Sequence, residues 1–279
     1  MASFIIHTIV GEQFLNKIEN KYKIKLTDYE KKEFLLGNLI VDSLKVDKSI
    51  PNNLTEEEKK EYKITLKNKI RNEKVTTHFR NPEKEELCLK IPEPDIFIKK
   101  YSNIIENDYT ALGYLFHLYT DKIFFSDLFP KTFETLDSNK EKTNYEKDAK
   151  YIRVFKNNIL VDNKEFWAST TDINIYADYT IMNSILLKKY GTSFAKEPLI
   201  NFAKTNFKNP GINEVDYDKI IEIIISTDNY INESFSNDKK TELKVFKEKQ
   251  IIDFINQVPE QFITEYNNIL KTIFSNKRK

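Results

Sequence analysis

The 279-residue chain contains only three histidines, His7, His78 and His117. His117 stands four residues before an aspartate in Gly113-Tyr-Leu-Phe-His-Leu-Tyr-Thr-Asp121. On a helix this i, i+4 spacing puts the imidazole and the carboxylate on one face, one turn apart, where a single divalent cation reaches both. The flanking residues are apolar on nearly every side, from Leu112 and Tyr114 to Phe124 and Phe125, so the helix is expected to be buried. A carboxylate taken into such a core without a partner either protonates or needs a cation or a strong set of donors. Taken alone, the pair fits an ordinary His–Asp hydrogen bond as well as a metal site.

Three further residues extend the pattern. Asp42 closes the run Phe34-Leu-Leu-Gly-Asn-Leu-Ile-Val-Asp42, at the expected C-terminal end of a helix. The backbone carbonyls there carry partial negative charge, and a carboxylate is disfavoured unless something positive offsets it; a solvated aspartate beginning a loop is the plain alternative. His78, in Thr76-Thr-His-Phe-Arg80, precedes Asn81-Pro82 and is expected at the mouth of a loop. His7 falls on the stripe Phe4, His7, Gly11, Phe14 and Ile18, the face a first helix buries. Each histidine alone reads as structural. Their scarcity and apolar settings argue that His7, Asp42, His78, His117 and Asp121 serve together as ligands of one divalent-metal site.

The elements that must position these residues are mainly helical. Apolar positions recur with helical spacing, and only 5 glycines and 8 prolines interrupt them. We read an all-α fold, one multi-helix domain over residues 1–279, with a small β-hairpin insertion accommodated at 151–166 around Asn157-Asn158. The first helix follows Ser3. The second begins at Thr27, where Glu30 completes a capping box, and ends near Asp42. Residues 43–76 are charged; Thr55 and Glu58 repeat the capping pattern, while the alternation Tyr62, Ile64, Leu66 keeps a strand or hairpin open. Further helices are expected over about 95–105, 108–129, 172–190, 216–231, 239–256 and 259–275, with a polar loop over 137–150.

Composition narrows the classes of function. Lys plus Arg is 44 against 43 for Asp plus Glu, a formal charge of +1, so no global field selects a nucleic acid or a membrane surface. One cysteine, Cys88, excludes an internal disulfide, fits a reducing compartment, and reads as a small buried hydrophobe. No apolar run approaches the roughly 18 residues that span a bilayer, and no basic residue precedes the apolar stretch near the N-terminus as in a secretory signal. A cytoplasmic location is the expectation. The lone Trp167 reads as an anchor between the hairpin and the next helix, and Asp178 and Asn183 are candidates to reach the cleft, with the Tyr and Phe residues around them read as core.

The order and spacing of four pieces resemble the bacterial zinc-dependent phospholipase C family, which is similar in fold to zinc-dependent single-strand nucleases. The pieces are His7; the run ending at Asp42; Thr-His-Phe at His78; and Gly-Tyr-Leu-Phe-His-Leu-Tyr-Thr-Asp, carrying His117 and Asp121. They cover roughly the first 130 residues, and Ile175 to Asn183 looks like a further family segment. The resemblance implies an all-helical fold and a four-ligand zinc centre of Asp42, His78, His117 and Asp121, with a second zinc between Asp121 and His7 left open. The family's third centre uses histidines after the H-x-x-x-D motif, which this chain lacks; Asp127 falls near one such position and is not read as a ligand. The implied activity is hydrolysis of a phosphoester, in a small molecule or a lipid headgroup, by zinc-activated water with Asp42 accepting its proton. The competing reading is a metal-stabilised binding or interaction protein that keeps the site without hydrolysis. An HD-type phosphohydrolase is disfavoured because no His-Asp dipeptide occurs, and a nuclease stays open, since the near-neutral charge neither favours nor excludes it.

Overall fold

A computed structural model describes residues 2–46, 50–51, 53–168, 173–236 and 242–275. Among these residues the fold is mainly α-helical with a small antiparallel sheet. Helix α1 (Phe4–Tyr22) starts where the Ser3 side chain accepts from Ile6 N–H, and α2 (Asp28–Ile40) starts at the Thr27/Glu30 capping box. Both match the start signals in the sequence.

Helix α3 (Glu56–Thr77) resolves the ambiguity in the charged segment. The Thr55/Glu58 capping box forms, and Tyr62, Leu66 and Ile70 are half-buried on one helical stripe while Ile64 is 63% exposed. The period of two was a chance overlay on a helix built from Glu and Lys, which are good helix formers. Helix α4 (Pro94–Ile105) follows, with proline in its first turn, and then α5 (Tyr109–Ile123), capped by Asp108 accepting from Ala111 N–H. The helix expected to reach residue 129 instead loosens into a π-turn at Phe124–Leu128 and a 3-10 turn at Phe129–Lys131. Pro130, which has no N–H and clashes with a preceding helical turn, accounts for the change.

The hairpin expected at 151–166 is present as β2 (Tyr151–Val154) and β3 (Ile159–Asp162), closed by the short α6 (Asn163–Phe166). Asn158 supplies the positive φ, 50°, at the turn. A third strand, β1 (Phe133–Leu136), pairs antiparallel with β2 in the order β1-β2-β3. Helices α7 (Ile175–Tyr190), α8 (Lys196–Thr205), α9 (Ile220–Ser236), α10 (Glu248–Glu265) and α11 (Asn267–Ser275) complete the chain.

Two boundaries depart from expectation here. Residues 239–241 lie outside the described residues, and the following stretch is not helical: the Asp178 carboxylate takes the backbone N–H groups of Lys244, Val245 and Phe246. No break occurs at Pro259, which is buried inside α10. The packing of Ile255, Val258 and Phe262 against α1 holds the helix through the missing donor. One buried cluster runs from Ala2 to Phe274. At its centre α2 and α5 touch backbone to backbone: a Cβ at Gly37 would lie 2.1 Å from Thr110 O, and one at Gly113 2.1 Å from Phe34 O. Glycine is required at both crossings.

Candidate metal centre

The close crossing of α2 and α5 brings the end of one helix to the middle of the other. Near the C-terminus of α2 the ladder loosens, and the N–H of Asp42 turns to Leu39 O at 3.4 Å. The carbonyl of Asn38 instead accepts from His117 Nδ1 at 2.7 Å. A carbonyl can only accept, so this bond puts the proton on Nδ1 and leaves the Nε2 lone pair of His117 free to bind a cation. The Asn38 side chain ties α1 into the same layer by donating to the His7 carbonyl at 2.7 Å.

His78 is set by the end of α3. The N–H of Phe79 bonds Thr76 O and that of Arg80 bonds Val75 O, a Schellman-type ending in which Phe79 takes the left-handed position, φ 49°. Glycine is the usual occupant. Phe79 is held there by the rings of Phe97, Tyr101 and Tyr114. His78 Nδ1 lies 2.8 Å from Thr77 Oγ1, and the Tyr114 hydroxyl donates to the carbonyl of Thr77. The Nε2 edge thereby faces Asp42 and Asp121.

Four ligand atoms converge. His78 Nε2 lies 3.7 Å from Asp42 Oδ1 and 3.7 Å from Asp121 Oδ2, and His117 Nε2 lies 3.7 Å from Asp121 Oδ2. A tetrahedral ion with metal–ligand distances near 2.05 Å sets its ligands about 3.4 Å apart, close to these three separations. Asp42 Oδ1, His78 Nε2, His117 Nε2 and Asp121 Oδ2 are all buried and lack a hydrogen-bond partner. Buried polar atoms are rarely left so. A cation at their centre would satisfy all four, and the donor set suits a divalent ion.

His7 joins the cluster from the other side. Its Nε2 lies 3.4 Å from Asp121 Oδ1, and its ring stacks on that of His117 with centroids 3.8 Å apart and planes 4° from parallel. Neither ring nitrogen of His7 has a hydrogen-bond partner. Two ligand triads overlap here, His7–His117–Asp121 and Asp42–His78–His117, but the one available nitrogen of His117 serves a single ion. Only Asp121, with two oxygens, can be shared. Its Oδ1 already accepts from Ala2 N–H at 2.8 Å, so the His7 side is the poorer of the two. All five residues named from sequence are brought together.

The electrostatics suit a cation. Burial depresses the pKa of His78 well below the usual imidazole value and that of His117 to about 4, the latter aided by neighbouring His7. Both rings are therefore neutral near pH 7, the form that binds metal. Burial works against the charge on Asp42, but its charged surroundings, the Lys74 ammonium first among them, outweigh it and lower its pKa. The contact with His7 does the same for Asp121. Two ionised carboxylates in a core are costly without a counter-charge.

A cavity of about 560 Å³ opens beside the cluster, walled by Phe4, Trp167, Tyr176, Tyr179 and Tyr230, with Ser3 and Asn183 among its polar groups. Asp42 and Lys74 also line it. Of the five candidate ligands Asp42 alone reaches this cavity, and it also borders a more polar one with Ser43, Lys45 and Lys219. Lys74 Nζ lies 3.7 Å from Asp42 Oδ1. Sequence reading missed Lys74, although it precedes His78 by four residues and so shares its helical face once α3 is read as a helix.

The remaining candidates find other places. Asp178 is buried in backbone hydrogen bonds away from the cluster, while Asn183 does reach the cleft, accepting from Ser3 Oγ at 2.6 Å. Trp167 packs on Phe133 and Phe166 beside the sheet, as expected of an anchor, and also lines the cleft. Asp127 pairs with Lys131 on the surface. Cys88 is only partly buried. No helix among the described residues is long and apolar enough to cross a membrane. Compared with known proteins, the chain matches no family model, no curated protein and no solved structure.

Proposed function

We propose that this chain is a zinc-dependent phosphoesterase that hydrolyses a phosphodiester or phosphomonoester, in a small molecule or a lipid headgroup. The observation that carries the reading is the gathering of four buried ligand atoms that lack hydrogen-bond partners beside a large cleft, with Asp42 common to both. Imidazole and carboxylate ligands together favour zinc. When bound, zinc polarises phosphoryl oxygens and acidifies water at the site. The protein's own part is to hold neutral histidines through Asn38 and Thr77, to wall the cleft with aromatic rings, and to place the Asp42 carboxylate where it accepts the proton of the attacking water. A single cysteine, which cannot form an internal disulfide, supports a reducing compartment such as the cytoplasm as the place of action.

A second reading rests on a different observation. His78, His117 and Asp121 are at most 2% exposed, and a zinc closed by four protein ligands is the structural kind. On that reading the chain is a metal-stabilised binding or interaction protein without hydrolysis. Metal analysis of protein purified without a metal-affinity tag, followed by release assays on phosphodiesters, phospholipids and nucleotides, separates the two. Hydrolysis by the zinc-loaded chain that falls in Asp42→Asn at matched zinc content supports the first. Stoichiometric zinc with no turnover on any substrate selects the second, and equal activity in Asp42→Asn rejects the role given to that carboxylate.

A further inference from the structure

Asn183 stands on α7, is only 6% exposed, and lines the cavity of about 560 Å³. Its partner is the side chain that caps α1. Ser3 Oγ already accepts from Ile6 N–H at 3.2 Å, so its own hydrogen is what it has left to place, and that goes to Asn183 Oδ1 at 2.6 Å. Only the carbonyl end of an amide can take a hydrogen. Oδ1 is thereby turned to Ser3 and Nδ2 away from it. Among the described residues nothing accepts from Nδ2, and unlike the unpartnered atoms of the metal cluster it is not sealed from the cleft.

The start of the chain ties this amide to the candidate metal centre. Ala2 N–H donates to Asp121 Oδ1 at 2.8 Å, and Ser3, the next residue, holds Asn183. Adjacent Cα atoms are about 3.8 Å apart, so the amide is anchored one residue along from a contact to a candidate ligand. Ser3 and Thr180 also line the cavity, but their hydroxyl hydrogens are directed into the protein, to Asn183 and to Tyr176 O. Asn183 keeps two hydrogens for whatever enters. An amide nitrogen only donates, so the group it meets must offer an acceptor. A donor without charge brings in no repulsion toward a bound cation, and one already clamped at its other end loses little freedom when it binds.

We propose that Asn183 binds the substrate directly: its Nδ2 donates a hydrogen bond to a non-bridging phosphoryl oxygen. This rests on the phosphoesterase reading and names a neutral donor through which the cleft recognises the phosphoryl group. A side chain kept only to tie α7 to the start of α1 would need Oδ1 alone. The two roles separate when the nitrogen is replaced and the oxygen kept, as in Asn183→Asp, and when both are removed at similar shape, as in Asn183→Leu.

The test compares the zinc-loaded wild-type chain with these two variants. Zinc affinity is read by competition with a chromophoric chelator, inorganic phosphate affinity by calorimetry, and folding by thermal denaturation. In Asn183→Leu we expect unchanged zinc affinity and phosphate bound roughly tenfold more weakly, the loss of one hydrogen bond to a charged acceptor. In Asn183→Asp we expect the wild-type melting temperature, zinc bound no more weakly, and phosphate bound more weakly than in Asn183→Leu, because an acceptor then faces an acceptor. Wild-type phosphate affinity in Asn183→Leu overturns the inference, and so does a parallel loss of zinc and phosphate. If Asn183→Leu does not fold, Asn183→Asp decides, and wild-type phosphate affinity there overturns the inference as well. So does a zinc-loaded wild-type chain that binds no phosphate. Phosphate binding is read without turnover, so a chain that binds it as expected and hydrolyses nothing fails the phosphoesterase reading and upholds Asn183 as the phosphate donor.

Discussion

Replacing Gly113 by alanine tests whether the α2–α5 crossing builds the candidate metal centre. The new Cβ would stand 2.1 Å from Phe34 O and 2.8 Å from Asn38 N, both backbone atoms that cannot rotate aside. Real Cβ atoms keep at least 3.0 Å from such neighbours, so the helices must part by about 0.9 Å, the difference between 2.1 and 3.0 Å. That movement acts directly on the bond of 2.7 Å from His117 Nδ1 to Asn38 O, which orients the imidazole. It also separates Asp42, just beyond α2, from His117 and Asp121 on α5. Overpacking costs about 1–3 kcal/mol, and stretching a buried hydrogen bond adds roughly 1–3 kcal/mol. Together they remove a large part of a typical domain's stability of about 5–15 kcal/mol. Disturbing a group that orients a ligand lowers metal affinity by about 10–100-fold. Thermal denaturation with and without zinc, alongside metal stoichiometry, reads both effects. Gly11→Ala is the milder comparison: its Cβ would meet the side chains of Asn38 and Phe34, at 3.0 Å and beyond, and no backbone atom, so it should perturb the site less. A Gly113→Ala chain with the wild-type melting temperature and full zinc content would refute the argument that this contact sets the site.

Three other outcomes are expected. His117→Ala should bind zinc far below stoichiometry and lose the stabilisation that zinc confers on the wild type; full metal content in this variant would rule out its ligand role. In chelated, metal-free protein, His117 titrates near 4 when folded against 6.5 when unfolded. The unfolded chain therefore binds more protons between those values, and stability falls as pH drops from about 6.5 toward about 4, by at most about 3 kcal/mol from this group. Denaturant titrations at pH 7, 5.5 and 4.5 measure it, and a flat profile would contradict a neutral buried imidazole. Asp178→Ala strips the acceptor from the N–H groups of Lys244, Val245 and Phe246 and should cost roughly 2–4 kcal/mol while zinc content stays intact. Denaturant unfolding paired with elemental analysis separates these effects.

Local signals in the sequence pointed to the candidate ligands that the fold brings together because the relevant information was local or compositional. Three histidines in 279 residues leave few combinations, and the His117–Asp121 spacing places two candidate ligands on one helical face regardless of the rest of the fold. The starts of α1, α2 and α3 were legible for a similar reason: a serine or threonine cap reads the backbone within three residues of itself. Strand β1 was not, since a four-residue strand exists only through its pairing with β2 across a long loop. Helix α8 was likewise missed.

The course of α10 through Pro259 depends on packing that no local rule contains, and proline taken alone argues for a break. The chain order of residues determined which side chains were chemically capable of holding a cation, and that most of them ride on helices. Tertiary structure alone decided that α2 and α5 meet at two glycines, that the Asn38 carbonyl selects the tautomer of His117, and that Lys74 turns toward Asp42 at the cleft. Those features depend on distances between residues far apart in the chain, and such distances come into being only when the buried cluster closes around them.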